Sequence, residues 1–229
     1  MSDAAMARPV VAPAHGSRTT LVAKILVWAA LLTVAVAFVF KYVFRYYLNY
    51  NEAAFTDPIR GAANYWLMRR WLLAHMTGGM VALLSGPWQF WTGFRHRHMH
   101  IHRWTGRLFL TGVCIGSIGA FRMAVSTTFG WAFGVGLVGL ATAWVTTAGM
   151  AYYAILQGHV QTHKEWMIRA YVVTFAFATF RVLNDYGPTS RLQPDNDRIL
   201  TLIWLCWAVP LLIAEVVLQL RRMRRPLAR

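Results

Sequence analysis

Residues 95–107 read Arg-His-Arg-His-Met-His-Ile-His-Arg-Trp-Thr-Gly-Arg, with four histidines, four arginines and no acidic side chain. The chain has 8 histidines, so half of them stand in this one connection between two apolar runs. Imidazoles at such density can ligate a metal through their ring nitrogens. A shorter stretch, His159 to Arg169, echoes the first. One reads His102-x-Trp104-x-x-Arg107, the other His163-x-x-Trp166-x-x-Arg169, and the runs they open end in Arg122 and Arg181. The two regions read either as a degenerate repeat about an axis along a membrane normal or as chance similarity at an interface rich in Trp and Arg.

A b-type haem needs two neutral imidazoles facing each other, a flat apolar slot and cations for its propionates. His102 and His163 are the candidate axial ligands, with Trp104, Arg103, Arg107 and Arg169 around them. Contact with lipid headgroups is the competing use of the same residues. His75 stands apart, one turn inside an apolar run, where an ionisable group reads as functional by default. Arg122, Arg181 and Asp185 fall at its level, and a structural pair of Asp185 with Arg122 or Arg181 is expected. Across the repeat His75 corresponds to Gly136, so the spacing offers ligands for one haem rather than two. His96, His98 and His100 alternate with Arg97, Met99 and Ile101. Arginines beside them repel a cation, so these three read as solvated loop residues rather than a metal site.

The elements that must position these residues follow from composition. The chain has 229 residues, 57% hydrophobic and only 14% charged, and its mean hydropathy is +0.41. That is too little charge to cover a water-soluble surface of this size. The net charge of +15 lies between apolar runs and in the tail, which points to anionic lipid headgroups rather than nucleic acid. Cys114 and Cys206 each lie inside an apolar run, and no CxxCH motif for covalent haem attachment is present.

Six runs reach the roughly 20 residues a spanning helix needs: 21–40, 71–91, 106–125, 131–156, 166–183 and 199–220. The expected fold is an all-α, polytopic bundle of six transmembrane helices. A tail over 1–20 precedes the membrane domain at 21–220, whose core is 71–185, and a basic tail over 221–229 follows. Fourteen of the 23 lysines and arginines fall on the side of the N-terminus, which places both termini in the cytoplasm and the protein in the inner membrane. Residues 41–70 form an aromatic outer connection in which Asp57 and Pro58 read as a helix start. Gly158 reads as a helix stop, and Thr162 with Glu165 as a capping box. Gly78, Ala82 and Gly86, then Gly112 and Gly116, then Gly130 and Gly134, recur at the four-residue spacing of close helix contacts or of a slot for a flat ligand. Pro87 and Pro210 predict kinks. Glu215, the one acid within a span, is expected to snorkel or to pair with an arginine near its end.

Several motifs resemble one family as a set: His75-x-x-Gly78-Gly79, Leu84-Ser85-Gly86-Pro87-Trp88-Gln89-Phe90, His102-Arg103-Trp104-Thr105-Gly106-Arg107 and His163-x-x-Trp166-Met167-x-Arg169. They are similar to the bacterial membrane proteins grouped as domain of unknown function 2306, over about residues 71–185. The resemblance implies a polytopic membrane protein and brings no activity with it. More loosely, the chain resembles cytochrome b561-type and ferric-reductase-like bundles, which hold two haems on four core histidines. It departs from them in having no histidine inside the fourth run and in placing His102 and His163 at helix ends. Two functions compete: electron transfer through one b-type haem near the cytoplasmic face, with a quinone or a redox protein as partner, or a non-redox role as anchor, accessory subunit or small-solute carrier. Proton-coupled transport is disfavoured, because the runs hold almost no carboxylates.

Overall fold

The computed structural model describes residues 18–55, 65–91, 97–187 and 195–224. All regular secondary structure among them is helical. Helix α1 (Arg18–Phe38) passes through a π turn at Val39–Val43 into α2 (Phe44–Leu48), and α3 (Glu52–Phe55) is a single turn. Next come α4 (Arg69–Phe90), α5 (Met99–Ala124), α6 (Trp131–Leu156), α7 (Val160–Thr174), α8 (Ala176–Tyr186), α9 (Asp195–Leu205) and α10 (Ala208–Met223). The helix start expected at Asp57 and Pro58 lies outside the described residues.

Among the described residues five stretches are long and apolar enough to cross a bilayer: Ile25–Leu48, Met99–Ala124, Trp131–Leu156, Val160–Tyr186 and Asp197–Met223. The other expected span is α4, which has the length but not the apolar composition. Arg69, Arg70, His75, Thr77, Ser85 and Gln89 and its three glycines lower its hydropathy. Packing accounts for several of them, because α4 lies antiparallel along α5. A Cβ on Gly78 would stand 2.4 Å from both the Gly112 carbonyl oxygen and the Gly116 nitrogen, and one on Gly119 2.4 Å from the Trp71 carbonyl oxygen. Toward the other end, Gly106 faces the Gln89 side chain. Small residues thus bring two backbones into direct contact, as their spacing predicts.

Helix α5 packs on α6, α6 on α7, and α7 returns to α4, so α5 and α7 occupy diagonal corners of a four-helix core. Phe109 of this core is fully buried, as are Leu202 and Ile203 of α9 and the adjoining Cys206, which join the same apolar cluster. Helices α1 and α10 flank this core, and Ile25, Leu26, Val27, Leu212 and Ile213 point outward. Such apolar outer faces suit lipid rather than water.

Local chemistry sets the breaks. Helix α6 ends at Gly158, whose φ of +75° is left-handed. The Gly158 N–H then donates to the Ile155 carbonyl and the His159 N–H to that of Ala154, the paired bonds of a Schellman stop. Gly130, expected among the packing glycines, is instead a turn residue with φ +89° ahead of α6. The Thr162–Glu165 capping box does not form. Helix α7 begins at Val160 behind His159, and Glu165 is drawn to Gln161 and Arg222 instead. The expected break at Pro210 lies at Cys206–Trp207, between α9 and α10, since proline lacks an N–H and its ring crowds the carbonyl four residues back.

Pro87 acts differently, because α4 continues to Phe90. Proline leaves the Leu83 carbonyl without its helical donor, and the Tyr171 hydroxyl of α7 donates to that oxygen at 3.0 Å. The Tyr171 ring occupies the space a Cβ on Gly86 would fill. Gly86, Pro87 and Tyr171 therefore form one joint between α4 and α7. Tyr171→Phe keeps the ring and removes the donor. Its expected cost is about 1–3 kcal/mol, that of leaving a buried carbonyl unsatisfied, read as a lower unfolding midpoint in detergent.

Candidate functional site

Antiparallel neighbours sort the polar residues to two ends of the bundle. One end carries His102, His163, Glu165, Arg169 and Arg222, and the other Lys41, Arg122, Arg181 and Asp185.

At the first end, α5 begins at Met99, seven residues ahead of the expected run. No proline or glycine interrupts residues 95–105, so the helix extends back to an N-cap at His98. His100 is therefore helical rather than a loop residue, and its Nε2 accepts a hydrogen bond from Trp104 Nε1 at 2.8 Å. Arg107 lies over the Trp104 ring, and Arg103 and Trp104 are exposed. The His102 carbonyl accepts from Gln89 Nε2 at 3.3 Å. His163 Nδ1 stands 2.8 Å from the Ala151 carbonyl oxygen of α6. Arg169 is buried and spent on other partners: it donates to Glu215 of α10 through Nε, at 2.8 Å, and Nη2, and stacks on Trp166. Glu215 thus pairs with an arginine as expected. His102 and His163 share one end of the bundle on diagonal helices, with α4 and α6 between them. His96 lies outside the described residues, and among the described residues no group of three His, Cys, Asp or Glu is placed to hold a metal ion.

A cavity lies toward the other end. It measures about 230 Å³, has mainly apolar walls, and is lined by His75 and Gly79 of α4, Leu140, Ala141 and Trp144 of α6, and Thr174, Phe177 and Arg181 of the α7–α8 span. Neither His102 nor His163 lines it. His75 Nδ1 is 2.9 Å from the Gly116 carbonyl oxygen. A carbonyl only accepts, so the proton belongs on Nδ1 and the lone pair on Nε2. Two rings hold the imidazole edge-on, Trp144 at 6.3 Å and Phe177 at 5.6 Å. Trp144 is fixed in turn by its Nε1–H donating to Thr174 Oγ1 at 2.9 Å, while Thr174 donates to the Ala170 carbonyl at 2.8 Å.

At the mouth, Arg181 lies over the Tyr42 ring at 5.1 Å. Asp185 pairs with neither Arg122 nor Arg181, contrary to expectation. It accepts from the Tyr42 hydroxyl, from Lys41 Nζ at 3.4 Å and from Asn184 Nδ2 at 2.9 Å. The reason is that the first helix continues past residue 40 to Leu48, which carries Lys41 and Tyr42 alongside α8. Arg122 turns to Ser126 instead.

Of the candidate ligand histidines among the described residues, His75 is therefore the one that lines this cavity, and Arg181 lines it too. Trp144, Thr174 and Phe177 were not singled out. Trp144 carried a usable signal: a tryptophan in mid-span, far from either interface, has an N–H that must find a buried acceptor.

A family model described as a predicted membrane protein (DUF2306) matches residues 72–218. No curated protein and no solved structure matches the chain.

Proposed function

The chain belongs to the DUF2306 family of predicted membrane proteins, and from that premise we propose that it binds a small, mainly apolar molecule in the cavity beside His75. One observation carries the reading. His75 is locked by the Gly116 carbonyl so that Nε2 is the free acceptor of the ring, and this ring is part of the wall of a mainly apolar cavity. Pockets of this make-up, with few polar groups in apolar walls, are where small ligands bind. A lone pair held in that way accepts a hydrogen bond from a hydroxyl, as of a quinol, or binds an electrophilic metal centre.

Gly79 supplies the test. It lines the cavity, and a Cβ there would meet nothing within 4 Å, so a side chain added there grows into open space. Protein extracted in mild detergent is expected to carry a non-covalent adduct in its native mass spectrum, and Gly79→Leu is expected to lose it. Equal adduct populations in the two proteins would defeat the reading.

A second reading keeps electron transfer through one b-type haem at His102 and His163, with a quinone or a redox protein as partner. The favouring observation is His163, whose Nδ1 is tied to the Ala151 carbonyl as the second ring nitrogen of a metal-bound histidine commonly is. His102 shares its end of the bundle. Haem would supply one-electron chemistry, and these residues would orient it. Protein expressed with ample haem should then show a Soret band that either His102→Ala or His163→Ala shifts or abolishes. The double variant should be no worse than the more damaging single one, as for residues acting as a unit. A folded wild type without a Soret band leaves a non-redox membrane component.

A further inference from the structure

We infer that the ligand of the His75 cavity is an anionic amphiphile, its charged head held by Arg181 and its apolar body against α4 and α6; the inference rests on the cavity reading above. Arg181 lines the cavity near its mouth. Its contact among the described residues is the Tyr42 ring, not a carboxylate. The nearest acid in sequence, Asp185, already accepts from Tyr42, Lys41 and Asn184. A guanidinium at the edge of an apolar cavity thus has donors to spare, and its planar fork matches a carboxylate or a phosphate. Lys41 is paired with Asp185 and does not line the cavity, so the head is left to Arg181. Past Arg181 the walls are apolar along Leu140, Ala141 and the bare backbone of Gly79. Charged rim and apolar interior therefore select a molecule with the same two parts.

The test uses two bromine-labelled probes that differ only in the head, 11-bromoundecanoate and 11-bromoundecanol, in a non-ionic detergent. Bromine quenches nearby indoles, and Trp144 stands in the cavity wall, so the quenching that Trp144→Phe removes reports occupancy. In wild type the carboxylate is expected to bind about ten-fold tighter than the alcohol, the size of one charge-assisted hydrogen bond. Arg181→Gln should bring the carboxylate to the alcohol's affinity and leave the alcohol unchanged, which also shows that the variant is folded. Arg181→Lys, which keeps the charge and loses the fork, should fall between. Gly79→Leu should block both probes. Equal affinity of the two heads in wild type, or a preference that survives Arg181→Gln, overturns the anionic ligand while the cavity reading stands. No Trp144-dependent quenching by either probe overturns the cavity reading itself.

Discussion

Gly78→Leu is expected to prevent the folded protein from accumulating. The new Cβ would lie 2.4 Å from a carbonyl oxygen and a backbone nitrogen of α5. Neither atom can rotate away as a side-chain end would, so α4 and α5 must separate along their shared face. Overpacking a core by side chains alone costs about 1–3 kcal/mol. Parting two backbones costs more, against a total stability on the order of 5–15 kcal/mol. The adjacent Gly79, whose Cβ would meet nothing within 4 Å, should accept alanine with no loss. Yield of monodisperse protein from the two variants checks this, and comparable yields would contradict the α4–α5 contact.

Glu215→Ala is the second large effect. Arg169 is 7% exposed and meets Glu215 across α7 and α10. Removing the acid leaves the buried guanidinium stacked on the Trp166 ring, with Glu165, itself bonded to Arg222, as the remaining nearby negative charge. Breaking a buried pair from one side costs about 3–5 kcal/mol. The Glu215 side chain is 40% exposed, so water screens part of that, and about 2 kcal/mol is expected. A neighbouring pair, Arg222 with the buried Glu165, ties the same two helices and should keep the variant folded, with a lower midpoint. A double-mutant cycle with Arg169→Ala isolates the coupling. Additive losses would mean that the two charges act separately.

The helices were legible in the sequence because lipid leaves a spanning chain almost no other regular structure. The run at 131–156 became α6 without change, and the spacing of Gly78, Gly112 and Gly116 marked a real backbone contact. Gly158 was legible as a stop because few other residues adopt its backbone angles. Helix ends were less so. Lys41 and Tyr42 look like interface residues, and only α8 beside them supplies the acceptor, Asp185, that lets the first helix run on. Likewise nothing near residue 99 in sequence shows that His100 has Trp104 as its partner one turn later. The cavity was illegible for a deeper reason. Its walls come from helices far apart in the chain, and each of Leu140, Ala141 and Phe177 reads as ordinary core when taken alone. The sequence led instead to its densest histidines, His96 to His102, whereas the histidine in the cavity is the solitary His75.

The most direct test of the account is whether the space beside His75 exists and takes a ligand. In a chain whose own Cys114 and Cys206 are replaced by serine and alanine, Gly79→Cys places a thiol in the cavity wall and Val113→Cys places one in the packed core. The account predicts that N-ethylmaleimide labels the first in native membranes, that 11-bromoundecanoate slows this labelling, and that the second stays unlabelled until the protein is denatured. A thiol at position 79 as unreactive as the one at 113, or one that the probe does not protect, would contradict it.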